Sequence, residues 1–169
     1  MKKSLILICA ALLPLCACSE KDTPSTEADF DHSEIVVQYE AMDGLSKYIT
    51  ITLEVDGKDE MVVNRVADSY KKTFENLPVS GTIAVKAVLN EDYEWNSESV
   101  DYSLSLTGHV ATVSKSGGYS AIKTLDLPGK SESTGIKAEK ARDLFESKAR
   151  LLNCSFTYSI AADGSVSVE

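Results

Sequence analysis

Seven side chains in this chain could do more than pack: four cysteines, two histidines and one tryptophan. Cys9, Cys16 and Cys18 crowd the N-terminus, and Cys154 lies near the other end. A thiolate is a nucleophile, a metal ligand or half of a disulfide. His32 and His109 stand 77 residues apart, with no His-x-x-x-His or Cys-x-x-Cys spacing to bring ligands together. Ser69-x-x-Lys72 and Ser120-x-x-Lys123 match a serine–lysine spacing. Both fall in predicted strands, where residues three apart face opposite sides. No Gly-x-Ser-x-Gly elbow or phosphate-binding glycine loop occurs. The chain therefore reads as non-catalytic, with no catalytic residue, no metal site and no cofactor.

The N-terminal cysteines are placed by what surrounds them. Lys2 and Lys3 precede an apolar run of 11 residues, Leu5 to Leu15. A spanning helix needs about 20 such residues. A basic start, a short apolar middle and a small residue before a break make residues 1–17 a secretory signal peptide. Leu15-Cys16-Ala17-Cys18 then resembles the lipobox of bacterial lipoproteins. That resemblance implies a diacylglyceryl thioether on Cys18, cleavage between Ala17 and Cys18, and acylation of the new amino group. Fatty chains such as palmitate would then be the membrane contact. The alternative is ordinary cleavage after Ala17, which leaves a free thiol. With Cys9 and Cys16 removed and Cys18 acylated, only Cys154 remains and no internal disulfide can form. Cys154 precedes an apolar strand and reads as a buried small hydrophobe.

Charge limits the partners. Residues 1–17 hold two lysines and no acids, so the remainder carries 15 basic against 26 acidic side chains, a formal −11. Nucleic acid and anionic bilayers repel such a body, and attachment rests on lipid alone. Two acyl chains suffice where a single one binds only marginally. Residues 18–33 follow as the acylated cysteine and a flexible acidic tether, whose stretch Ser19 to Phe30 spans roughly 20 Å as a coil. Ser19 after the cysteine resembles the outer-membrane sorting pattern of Gram-negative lipoproteins. Glu20-Lys21-Asp22 resembles the export signal of Bacteroidetes surface lipoproteins. The expected address is the cell envelope, outer membrane, on its periplasmic or its surface face.

Residues 34–169 suit one domain with one core. "EIVVQYEA", "YITITLEV", "TIAVKAVL" and "SVDYSLSL" alternate apolar and polar residues, the signature of half-buried strands. Asp43-Gly44 and Asp56-Gly57 mark turns. "HVATV" and "YSAIKTL" add two weaker strands separated by Gly117-Gly118. Seven or eight short strands predict a mainly β fold, an antiparallel sandwich. Ser133 or Thr134 is placed to cap a helix running from Gly135 to Leu152, with Ala141, Leu144, Phe145, Ala149 and Leu152 on one face. "SFTYSI" and "SVSV" close the chain as a hairpin. The run "FENLPVSGTIAVKAVL" resembles the E-strand, corner and F-strand of immunoglobulin or fibronectin type III-like modules, which implies a chain handed between two sheets at Pro78. The cysteine pair of immunoglobulin domains is absent, so the resemblance extends to architecture only. A lipocalin-like barrel is the alternative fold, although its Gly-x-Trp motif is missing.

One polar constellation remains. "NEDYEWNSES", Asn90 to Ser99, groups Glu91, Asp92, Glu94 and Glu98 around Tyr93 and Trp95. Tyr93, Asp92, Glu94 and Trp95 form a candidate ligand loop, where a ring beside carboxylates could stack on a sugar or hold calcium through oxygens. Trp95 also continues the face of Leu89, and the reading this favours is a solvated acidic loop with Trp95 folded back on the core. The expected function is that of a lipid-anchored binding or accessory module for a glycan or protein partner. Its rival is a lipocalin-like carrier of a small apolar ligand.

Overall fold

The computed structural model describes residues 30–95 and 99–169. The signal peptide, Ala17, Cys18, most of the tether and the loop residues 96–98 lie outside them. The described residues form β1 (Phe30–Ala41), β2 (Ile49–Val55), β3 (Lys58–Val62), β4 (Ala67–Phe74), β5 (Val79–Leu89), β6 (Val100–Ser114), β7 (Tyr119–Thr124) and β8 (Gly129–Ile136), then α1 (Ala138–Leu152), β9 (Cys154–Ile160) and β10 (Val166–Val168).

The strands build two antiparallel sheets. Sheet 1 has the order β4-β1-β6-β7, with β8 also on β6; sheet 2 has the order β10-β9-β5-β2-β3. β6 is 15 residues long, and this length explains its three partners. β1 takes one edge; β8 lies along Val100–Leu106 and β7 along His109–Val113 of the other. The alternating residues point inward as the period requires. Ile35, Val37, Ile49, Val55, Ile83 and Ile160 are each fully buried between the sheets. Burying each such side chain stabilises the fold by about 1.5–3 kcal/mol. The chain is therefore a β-sandwich with one helix near its C-terminus.

Turn chemistry fixes the crossings. Asp56 and Gly57 have φ of 53° and 74° between paired Val55 and Lys58, the left-handed pair that a two-residue hairpin needs. The corner at Leu77-Pro78, a cis peptide, carries the chain from β4 in sheet 1 to β5 in sheet 2. α1 packs through Ala141, Phe145, Ala149 and Leu152, with Leu144 half-buried beside them. Phe145 stacks on Tyr48 at 4.9 Å and meets Tyr102 edge-on at 5.4 Å, so the helix closes the core where both sheets end.

Four expectations are corrected. Among the described residues no closed barrel forms, because β3 and β4 follow one another in sequence but join different sheets and do not pair. "SVDYSLSL" and "HVATV" are one strand. Gly108 between them is not a break but a close approach: a Cβ there would lie 2.9 Å from Leu125 Cδ1 and 3.0 Å from the Val36 carbonyl oxygen. The helix begins at Ala138, not Gly135, and Lys137 precedes it without a side-chain cap. Ser133 instead pairs with Tyr102, and Thr134 lies in the same strand β8, since an unpaired edge of β6 outweighs a capping preference. Finally, β1 starts at Phe30, so His32 is a strand residue and not part of a tether.

Candidate functional site

The loop after β5 is held at its root by Asn90. Its N–H donates to the Tyr48 carbonyl at 3.0 Å, its side-chain amide donates to the Ser46 carbonyl at 2.6 Å, and Thr50 Oγ1 donates to its Oδ1 at 2.7 Å. The loop then turns its rings inward and its acids outward. Tyr93 and Trp95 are half-buried and meet edge-on at 4.9 Å. Tyr93 also contacts Tyr48 at 4.7 Å, and Trp95 contacts Phe145 at 5.4 Å. Glu91, Asp92 and Glu94 are exposed. The four predicted ligand-loop residues are thus neighbours, but the indole is folded onto the core and is not a free-standing platform.

What the loop does make is a wall. Between it and α1 runs a groove of about 790 Å³. Tyr93, Trp95 and Glu91 line one side, and Arg142, Glu146 and Arg150 line the other. Arg150 Nη2 donates to Glu146 Oε1 at 2.7 Å. Asn153 ends the groove, accepting from Ala87 N–H at 2.9 Å and donating to Ala87 C=O at 3.0 Å. Its carboxamide completes the bonds that a longer β9 would have made to β5. The groove combines partly exposed rings with hydrogen-bonding side chains of both signs, the mixture found in sites for polar organic ligands.

Neither histidine lies near that groove. Both converge on the outward face of sheet 1, around Glu34, which is only 4 % exposed. Lys71 Nζ lies 2.6 Å from Glu34 Oε2 and His32 Nε2 3.3 Å from the same oxygen. The Tyr119 hydroxyl donates to Glu34 Oε1 at 3.4 Å, and His109 Nε2 lies 3.2 Å from that hydroxyl. Burial works to raise the Glu34 pKa. The hydrogen bonds from Lys71 and His32 outweigh it and hold the carboxyl below its ordinary value. Sequence reasoning missed this cluster. With His32 assigned to a strand, its period-two spacing to Glu34 puts both on one face. The partners Lys71 and His109 follow only from register, which pairs both with Val36.

Neither chain, curated or solved, nor any family model matches this protein. The chemistry must therefore be read from geometry alone. Among the described residues, no group of three or more His, Cys, Asp or Glu side chains is arranged to hold a metal ion. Cys154 is half-buried on β9 opposite Val85, in the sheet that does not carry His109. Burial pushes its thiol up, away from the reactive thiolate. A narrow space of about 20 Å³ between β8 and α1, beside Tyr102 and Leu152, has room for one water and not for an apolar ligand.

Proposed function

We propose that this chain is a lipid-anchored protein of the bacterial cell envelope, most simply of the outer membrane, and that its sandwich is a non-catalytic binding module for a glycan or protein partner. The acyl chains on Cys18, exposed by cleavage after Ala17, hold it to the membrane, and the acidic body keeps nucleic acid away. The groove between the Asn90–Trp95 loop and α1 is the observation that carries the binding role. Half-buried Tyr93 and Trp95 offer ring area at little entropic cost, and Arg142, Glu146 and Arg150 offer hydrogen bonds. A carrier of apolar ligands is disfavoured because the described residues form two packed sheets rather than a closed barrel.

The test has two arms. Metabolic labelling with a fatty-acid analogue should mark the wild type and fail on Cys18→Ala; a labelled mutant defeats the anchor. Array binding to envelope and host glycans and to envelope proteins should be lost on Arg142→Ala, which leaves the aromatic cluster in place, and on Trp95→Ala. Binding retained by both variants removes the groove from the reading.

A further inference from the structure

Between its two walls, the groove exposes a stretch of β5 that no described strand covers on that side. β9 pairs with β5 only from Val79 to Val85, because the chain enters β9 at Cys154, directly after α1 and Asn153. β5 runs on to Leu89, with β2 still on its other edge. In an antiparallel ladder the N–H and C=O of one residue point to the same side, and successive residues alternate. Asn90 N–H donates to the Tyr48 carbonyl and Asp56 N–H donates to the Thr82 carbonyl, so the even-numbered residues face β2. Ala87 and Leu89 therefore face the groove. The N–H and C=O of Ala87 are taken by the Asn153 carboxamide at 2.9 and 3.0 Å. Leu89 lies about 6.8 Å further along the strand, is half-buried and lines the groove. Among the described residues, nothing bonds to its N–H or C=O.

Asn153 shows what this edge accepts. Its primary amide carries an N–H and a C=O on one side, the arrangement that a residue of a paired strand presents, and a further bond to the Ala149 carbonyl at 2.9 Å fixes it to α1. Leu89 offers the same donor and acceptor next in line. One residue of an extended peptide meets both. A trans acetamido group on a sugar points its N–H and C=O in opposite directions and meets only one. The facing wall adds charge. Arg150 is engaged with Glu146, whereas the Arg142 guanidinium has no partner among the described residues. Its complement is a carboxylate. The body around it is strongly acidic, so a single carboxylate among uncharged residues fits and a run of acids does not.

We propose that the groove takes an extended peptide segment of a partner protein, which adds to β5 in line with β9, its backbone on Leu89 and one carboxylate on Arg142. This rests on the groove reading above and selects the protein from its two partner classes. The peptide residue opposite Leu89 sets its side chain on the face of Leu89, toward Trp95. Its neighbours set theirs on the face of Val88, which is 64 % exposed. Backbone bonds give the attachment, and the rings, Val88 and Arg142 give the choice of sequence.

The test uses the full chain in neutral detergent. In the free protein the Leu89 amide should exchange at least roughly tenfold faster than the Val88 amide, which faces β2. Selection from a phage-displayed library of random dodecapeptides should enrich peptides whose synthetic forms slow exchange at Leu89 and leave Val88 unchanged. An N-methyl scan of such a peptide should find one residue at which the methyl group weakens binding roughly three- to tenfold, the range of one net hydrogen bond, and Arg142→Gln should weaken it by a similar factor. Peptides that bind without slowing Leu89, or a library from which none is enriched, overturn the proposal. The groove reading fails separately. Glycans bound by the wild type and lost on Trp95→Ala keep the groove and remove the peptide, whereas peptides that bind Trp95→Ala and Arg142→Gln as tightly as the wild type remove both. Slow exchange at Leu89 that grows with protein concentration in the absence of peptide assigns the edge to a second copy of the chain and also ends the proposal.

Discussion

The α1 end of the core and the outer face of sheet 1 assemble distant residues by opposite means. At the α1 end, Tyr48, Trp95, Tyr102 and Phe145 meet through apolar area, which is non-directional and tolerant of small displacements. On the outer face of sheet 1, Glu34, His32, Lys71, His109 and Tyr119 meet through charge and hydrogen bonds, which demand matched positions. The first set holds the sandwich shut. The second covers a carboxylate that would otherwise be costly to bury. Stability should therefore depend far more on the aromatic end, and pH dependence on the polar one.

The largest effect tests that division. Phe145 is fully buried and touches the rings of Tyr48, just before β2, and of Tyr102 in β6. Phe145→Ala should destabilise by about 3–5 kcal/mol in urea unfolding followed by circular dichroism. A cost below about 1 kcal/mol would mean that α1 is an appendage and that the comparison is misdrawn.

A smaller effect with a distinct signature belongs to Glu34. Glu34→Gln keeps the shape and removes the charge that Lys71 and His32 bind, at a cost of about 1–3 kcal/mol at pH 6. Lys71 is itself 56 % exposed and regains water, which keeps the loss moderate. The pH profile is the sharper readout. Glu34 has a lowered folded pKa, so its contribution is present above its unfolded value and is lost as pH falls through the lower folded one. Asp56 adds to the same limb. Burial works to raise its pKa, but Lys72 at 2.8 Å, the Thr82 N–H at 3.0 Å and the Tyr158 hydroxyl bring it below the ordinary value. Chemical denaturation from pH 6 to 3 should show a shallower acid limb in Glu34→Gln than in the wild type. Equal slopes would show that the cluster is not coupled to folding.

The same contrast explains what could be read in advance. The inward residues of β1, β2, β5 and the first half of β6 follow from alternation alone, and the buried stripe of α1 from helical spacing. Those patterns report burial, a property of single positions. β8 escaped because its polar Lys-Ser-Glu-Ser-Thr run carries no apolar period, and only the unpaired edge of β6 recruits it. The Glu34 cluster escaped for a related reason. Each of its members looks like a surface residue, and the pairing of Val36 with both Lys71 and His109 is a property of register that no local window contains. The Trp95 loop lay between these cases: the inward turn of the indole follows from Trp95 continuing the face of Leu89, but its partner Phe145 is 50 residues away and no local window names it.

The smallest effect sharpens the comparison by holding chemistry constant and changing burial. Arg150 and Glu146 form a hydrogen-bonded ion pair at 2.7 Å, close to the 2.6 Å of Lys71 and Glu34. The difference is the acceptor, since the Glu146 side chain is 48 % exposed and the Glu34 side chain 6 %. Water competes for the first pair and screens it, so Arg150→Ala should cost only about 0.2–0.5 kcal/mol in the same urea assay. Added salt should erase that cost and leave most of the Glu34→Gln effect. If Arg150→Ala instead matched Glu34→Gln, contact distance rather than burial would be governing both pairs, and the polar cluster would lose its claim to be more than one surface ion pair among several.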